Sequence, residues 1–167
     1  VFAEDVDLLG TSLYTYGKNI VSEVLTVGRA GTLVDWEGDG EQRGFVVRYS
    51  AEQIRNWRVS RVNGRNVVTL VVLEEKAEGK RLKDEGDDFE VEVVEQFRVL
   101  RLEPVEGEWQ YMVELWRRVE SKTKRGKPQW EKVDSRTPLR LGKPLTLIPF
   151  VFHGPRHSLP DVDKLPL

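Results

Sequence analysis

The chain of 167 residues contains no cysteine, and this absence excludes a disulfide framework and any thiolate metal site. Long apolar runs are also missing: none approaches the roughly 20 residues that span a bilayer, and the N-terminus lacks a signal-peptide pattern. Neither sign of charge dominates, because 26 basic residues face 28 acidic ones. With a formal net charge of -2, we do not expect a uniform nucleic-acid-binding surface.

The residues that are present indicate a soluble globular fold. Charged residues make up 32% of the chain, while five Trp, six Phe and four Tyr supply bulk for a core. The length predicts one α+β domain over 1–167, with a helix-plus-sheet core at 1–136 and a Pro-rich edge strand and extended tail at 137–167. Because the chain starts at Val1 and stops at Leu167 without a polar finish, we expect an excised fragment of a longer protein.

One helix is predicted near the N-terminus, over residues 12–27. Apolar residues recur there at helical spacing, Thr11 or Ser12 can cap the start, and Gly28 occupies the natural end. Gly17 lies inside this helix, where glycine costs about 1 kcal/mol relative to alanine. That cost predicts that another backbone approaches the helix at Gly17.

The stretch from Gly44 to Glu75 organises the predicted sheet. A strand from Phe45 to Tyr49 leads into Ser50-Ala51-Glu52-Gln53, a capping-box sequence that predicts a single helical turn. Asn63-Gly64 between apolar runs is a strong hairpin signal. The run Val67–Leu73 is apolar on both sides, which predicts a central strand with both faces covered.

The remaining strands are predicted to form a meander that extends this sheet. Strands at 91–102, 109–119 and 130–133 are separated by Glu106-Gly107-Glu108 and by a basic hairpin tip at 121–128. The alternation breaks at Val99-Leu100, which predicts either a β-bulge or burial on both faces. Proline recurs after residue 137, and Pro149 confines the last apolar strand to an edge or a bulge. The predicted fold class is therefore α+β, with one helix packed on a mostly antiparallel sheet.

No catalytic, metal or cofactor site is predicted. Asp35, Glu37, Asp39 and Gly40 match the start of an EF-hand loop, but Val46 occupies the position that needs a bidentate Glu. An acidic solvated turn explains them better.

Only two histidines are present, His153 and His157, and Gly154-Pro155 between them argues against a shared helical face. A metal pair with Asp161 or Asp163, or a hydrolase that uses both histidines, is the weaker alternative to a structural loop. No phosphate-binding or dinucleotide-binding glycine pattern occurs either. We therefore expect no enzymatic activity and no cofactor.

Two groups of cations are candidates for an interface or a nucleic-acid contact. Arginines interleaved with a tryptophan can contact phosphates and stack on bases, although the same pattern describes a strand pair with a core Trp and solvated Arg, which we favour. The hairpin tip contacts DNA phosphates or an acidic neighbouring subunit, or its charges only protect a strand end from aggregation. The candidates are Arg55, Trp57, Arg58, Arg61 and Arg65 in the row, and Lys122, Lys124, Arg125 and Lys127 in the tip.

Four stretches carry a family resemblance. They are the segment YSAEQIRNWRVSRVNGRNVVTLVVLEE at Tyr49–Glu75, LTVGRAGTLVDW at Leu25–Trp36, EQFRVLRL at Glu95–Leu102 and the tail Leu147–Leu167. Taken together in chain order, they resemble a family of tailed-phage (prophage) proteins of formally unknown function that look like phage portal proteins. No stretch is a catalytic motif.

The resemblance implies a virion structural role. A portal-type protein forms a ring at one capsid vertex, and this chain would be its outer, wing-like domain, used in DNA packaging and ejection without catalysis. Implied partners are copies of itself, the capsid shell, the terminase, head-completion proteins and DNA passing through the ring, with no membrane. Such a protein is made in the bacterial host cytoplasm and located in the virion. The alternative is a nucleic-acid-binding module that uses the Arg/Trp strand pair and the basic tip.

Overall fold

Over the residues that the computed structural model describes (2–36, 42–62, 64–78, 93–119 and 129–154), the chain forms one α-helix and ten β-strands. The predicted α+β class, with mostly antiparallel strands, is confirmed. In chain order the elements are α1 (Leu13–Val27), β1 (Ala30–Trp36), β2 (Gly44–Ser50), β3 (Ile54–Val62), β4 (Arg65–Glu78), β5 (Val93–Val105), β6 (Glu108–Val119), β7 (Gln129–Arg136), β8 (Leu139–Arg140), β9 (Lys143–Pro144) and β10 (Phe150–His153).

The chain divides into two compact units. The first unit contains Val1–Ile54 together with Pro149–Leu167, and the second contains Arg55–Ile148. Residues 137–148, which the sequence assigned to the Pro-rich tail, belong to the second unit. Several predicted features lie outside the described residues: residues 37–41 of the acidic turn, the basic tip at 121–128 and residues 155–167 of the Pro-rich tail.

Helix α1 begins and ends where the sequence predicted. The Ser12 hydroxyl accepts from the Thr15 amide at 3.2 Å, and Gly28 closes the helix at φ 84° with its amide bonded to the Val24 carbonyl. The expected close approach at Gly17 is wrong, because a Cβ built on Gly17 meets no atom within 4 Å. The glycine therefore lies on an open side of the helix.

The first unit contains a three-stranded antiparallel sheet in the order β10-β1-β2. One face packs against α1, where Val6, Tyr16, Ile20 and Ala30 form a buried cluster. Strand β10 lies at the sheet edge directly after Pro149, whose carbonyl accepts from the Val34 amide at 2.9 Å. The predicted edge strand is confirmed, and proline precedes it because its nitrogen has no hydrogen to donate.

The other face of this sheet is aromatic and close-packed. Tyr49 and Phe150 are both buried, and their ring centroids lie 6.1 Å apart. Gly31 lies on the same face, opposite Phe152 in the strand register. A side chain at Gly31 would overlap the Phe150 ring and approach Ile54 Cδ1 to 3.0 Å. Glycine is required here because a larger residue would not fit beside the Phe150 ring. The backbone itself does not require glycine, because its geometry is that of an ordinary strand.

The second unit contains a five-stranded sheet in the order β3-β4-β5-β6-β7. Strand β4 is an interior strand, with Leu70, Val71 and Leu73 buried, as the continuous apolar run predicted. The turn between β5 and β6 uses left-handed backbone at Glu106 (φ 51°) and Gly107 (φ 88°), which matches the predicted turn.

The predicted single sheet is wrong in its connectivity, because β2 pairs with β1 while β3 pairs with β4. The link between β2 and β3 is a hydrogen-bonded turn, where the sequence predicted one turn of helix. Gln53 Oε1 does accept from the Ser50 amide at 2.9 Å, so the back-bond of the capping box is present. The Gln53 amide bonds the Ser50 carbonyl at 3.2 Å, and the chain then enters β3 at Ile54.

The break in alternation at Val99-Leu100 reflects burial on both faces, which was one of the two predicted explanations. Val99 is 7% exposed and Leu100 is fully buried, while the register with β4 and β6 continues unbroken through both residues. A register shift occurs instead between Leu115 and Trp116, where β6 pairs with β7.

Candidate functional site

The strand register divides the five-stranded sheet into two chemically different faces. Residues paired directly across antiparallel strands share a face. Val71, Leu100 and Val113 are aligned in this way, and all are buried. We call their side the core face. The opposite side carries Phe97, Trp116 and Trp130, and we call it the aromatic face.

The predicted arginine row does not lie on one surface. Arg55 forms an ion pair with Glu74, which pairs with Phe97, so Arg55 lies on the aromatic face. Because side chains alternate along β3, Trp57 and Arg61 share that face.

Arg58 and Arg65 lie on the core-face side of the sheet. The hydroxyls of Ser60 and Thr69 are 3.0 Å apart, which places Ser60 on the side of Thr69 and Val71. Arg58 precedes Ser60 by two residues in β3, and Arg65 precedes Thr69 by four in β4. The sequence grouped these arginines only by their spacing along the chain. The pleat of the strands places them on opposite faces of the sheet.

Three of these arginines have no acidic partner in the described parts of the chain. Arg58, Arg61 and Arg65 are exposed, and none forms an ion pair with an acidic side chain in the described parts of the chain. They border the turn at Gly64 (φ 78°) at the end of the β3–β4 hairpin. Strand β3 is an edge of the sheet, so these charges are accessible to an anionic partner. Lys122, Lys124, Arg125 and Lys127 lie outside the described residues.

A buried carboxylate on the aromatic face accepts hydrogen bonds from three side chains. Glu114 is 8% exposed. Its Oε2 accepts from Arg101 Nε at 3.2 Å and from Trp116 Nε1 at 3.1 Å, and its Oε1 accepts from Lys132 Nζ at 3.2 Å. Burial disfavours the charge, but these three donors outweigh it and hold the pKa of Glu114 below its usual value. The side chain is therefore a carboxylate at neutral pH.

A second polar network lies on the core face, near the C-terminal end of β4 and the N-terminal end of β5. Glu75 accepts from Arg98 Nε at 2.7 Å and from Gln96 Nε2 at 2.9 Å. Gln96, which is 6% exposed, accepts in turn from Arg117 Nε at 2.9 Å. Sequence reasoning missed both networks. Their only signal was alternating polar residues in neighbouring strands, and pairing them requires the register.

The first unit contains a hydrogen-bonded chain of three side chains between its helix and its sheet. The Tyr16 and Thr32 hydroxyl oxygens are 2.8 Å apart, and Thr32 Oγ1 is 2.8 Å from His153 Nε2. Burial raises the pKa of Tyr16 and lowers the pKa of His153. The predicted loop position of His153 is wrong, because β10 includes it; His157 lies outside the described residues.

Neither a metal site nor a membrane span is found among the described residues. No group of three or more His, Asp or Glu side chains there has the geometry to hold a metal ion. Nor is any described helix both long and apolar enough to cross a bilayer. Compared with known proteins, the chain matches no protein-family model and no curated sequence.

Proposed function

We propose that this chain is a structural, non-catalytic domain of a tailed-phage protein, forming the wing-like part of a portal-type ring. One observation supports the proposal beyond the resemblance in sequence: several charged side chains of β4, β5, β6 and β7, on both faces of the five-stranded sheet, are bonded to one another across neighbouring strands. Such pairing fixes strand register and stiffens a sheet.

The bonding of Glu114 supports a scaffold role for these charges over a catalytic one. Both of its oxygens already accept hydrogen bonds, and its pKa is lowered, whereas a general acid needs a raised pKa and a free approach to substrate. The oxygens of Glu75 are occupied as well, because each accepts a hydrogen bond from a side chain of β5.

In the proposed setting, copies of the longer protein form a closed ring at a capsid vertex. Neighbouring copies, the capsid shell, the terminase and the head-completion proteins are its partners, and DNA passes through the channel. The protein is made in the host cytoplasm and becomes part of the virion. Lateral contacts then demand a rigid, complementary surface, which cross-strand ion pairs help to maintain.

The proposal is tested on the longer protein. With the native flanking sequence restored, we expect negative-stain electron microscopy to show closed rings with a central channel. Sedimentation at several concentrations is the companion measurement, because rings must appear as one discrete heavy species. A preparation that stays monomeric and ringless across the concentrations at which portal rings assemble contradicts the proposal.

A nucleic-acid-binding module is the second candidate. It is favoured by Arg58, Arg61 and Arg65, which are exposed and form no ion pair with a described residue. Binding of single- and double-stranded DNA by the chain is measured at two salt concentrations. Replacing the three arginines with glutamine should lower the slope of log affinity against log salt by about 0.9 for each lost contact with duplex phosphates. The matched control neutralises three other exposed cations, Lys76, Arg140 and Lys143. If both triple variants bind DNA equally, the β3–β4 hairpin is not a DNA site.

A further inference from the structure

The Tyr16–Thr32–His153 chain joins three elements of the first unit at one point. Tyr16 comes from α1, Thr32 from β1 and His153 from β10, and 121 residues separate Thr32 from His153. Tyr16 and Thr32 are each 8% exposed, and His153 is partly buried. In addition to its backbone pairing with β1 and the packing of Phe150, the edge strand β10 is thus held by a side-chain hydrogen bond between His153 and a buried hydroxyl.

The protonation state of His153 determines whether every donor in this chain of hydrogen bonds has an acceptor. With Nε2 of His153 unprotonated, Tyr16 donates to Thr32 and Thr32 donates to the imidazole, so two donors make two hydrogen bonds. When the imidazole is protonated, Nε2 becomes a third donor, but the chain still contains only two hydrogen bonds. One donor then lacks an acceptor in a buried site that also contains a new positive charge, and both effects oppose the closed arrangement.

The surrounding charges do not offset that cost. Helix α1 contributes Glu23, but this carboxylate faces Arg48 of β2, with Oε2 and Nη1 3.7 Å apart. Arg48 pairs with Thr32 in the strand register, so it places a cation on the same face. Asp7 acts on Tyr16 from the N-terminal segment, and Arg29 lies at the start of β1. No carboxylate in the described parts of the chain forms an ion pair with His153.

We propose that His153 is a proton-controlled latch, which holds β10 on β1 while the imidazole is neutral and loosens that strand when the imidazole is protonated. Loosening β10 uncovers the hydrogen-bonding edge of β1, and an uncovered edge accepts another strand. The device needs neither the portal role nor the DNA-binding role.

The latch is tested by hydrogen exchange of the Val151 and His153 amides, which alternate with Pro149 on the side of β10 that faces β1, at pH 8 and pH 5 after correction for intrinsic exchange rates. A histidine with an ordinary pKa of about 6.5 in the open state favours opening by at most about 30-fold at pH 5. We expect opening of β10 to increase by between about 3-fold and 30-fold. Amides at the centre of β5, such as that of Leu100, should show no comparable change.

Variants assign the effect to one imidazole. His153→Gln removes the titration and should abolish the pH dependence of β10 exchange, while His157→Gln makes the same change in the second histidine and should preserve it. Should a variant fold poorly, the imidazole of the unaltered chain is titrated by NMR. The latch is overturned if β10 opens equally at both pH values, if His153→Gln keeps the dependence, or if the His153 pKa is not below its ordinary value.

Discussion

Replacing Glu114 with glutamine tests whether the polar cluster on the aromatic face stabilises the sheet. The change keeps the size of the side chain but removes its charge and turns one acceptor oxygen into an NH₂ group. Three donors, from Arg101, Trp116 and Lys132, now face one oxygen. The Arg101 and Lys132 side chains are 35% and 45% exposed, but the carboxylate that they bond is buried, so we expect the substitution to cost about 2–3 kcal/mol in free energy of unfolding.

Glu103→Gln is the matched control. Glu103 also approaches Arg101, at 3.9 Å, but its side chain is 48% exposed against 10% for Glu114. Exposed pairs contribute little, so we expect this variant to lose less than about 1 kcal/mol. Urea unfolding followed by tryptophan fluorescence gives both free energies, and a thermal scan should show a drop of about 4–12 °C for Glu114→Gln alone. Equal losses in the two variants would refute the reasoning.

Three further predictions concern acid stability and two glycines. Because the folded pKa of Glu114 lies below its ordinary value of 4.5, its contribution is complete above pH 4.5 and is lost as the pH falls through the folded pKa. Urea midpoints at pH 7, 4.5 and 3 should show that loss of stability. In Glu114→Gln the part of the acid sensitivity that comes from Glu114 should be absent. Gly17→Ala should stabilise the chain by about 1 kcal/mol, since nothing lies near the added methyl group and alanine favours a helix. Gly31→Ala should destabilise it by about 1–3 kcal/mol, because the methyl group overlaps Phe150. Thermal scans distinguish the two glycine variants, and a shift in the same direction would contradict the assigned packing.

Features decided by a few neighbouring residues were predictable from the sequence. The Ser12 cap, the Gly28 end and the Glu106-Gly107 turn follow from local backbone preferences. The apolar run of β4 likewise predicted an interior strand, because both of its faces had to be covered.

Features decided by distant pairing were not predictable. A return from β1 into β2 was predictable from the glycines between them, but nothing in the short link from β2 to β3 indicates that β3 begins another sheet. The contacts of Glu114 depend on the register of three strands, and the arginine row was divided by the pleat of β3. Spacing along a chain identifies a face only when the partner strands are known.

The interleaved path of the chain has a consequence for how the protein emerges from the ribosome. The second unit, Arg55–Ile148, is continuous, so all of its strands leave the exit tunnel before β10 does. The first unit is discontinuous, and β1 must wait for a partner strand made more than a hundred residues later. During synthesis the five-stranded sheet can therefore fold while one edge of β1 is still unpaired. The three-stranded sheet of the first unit is completed when β10 is added.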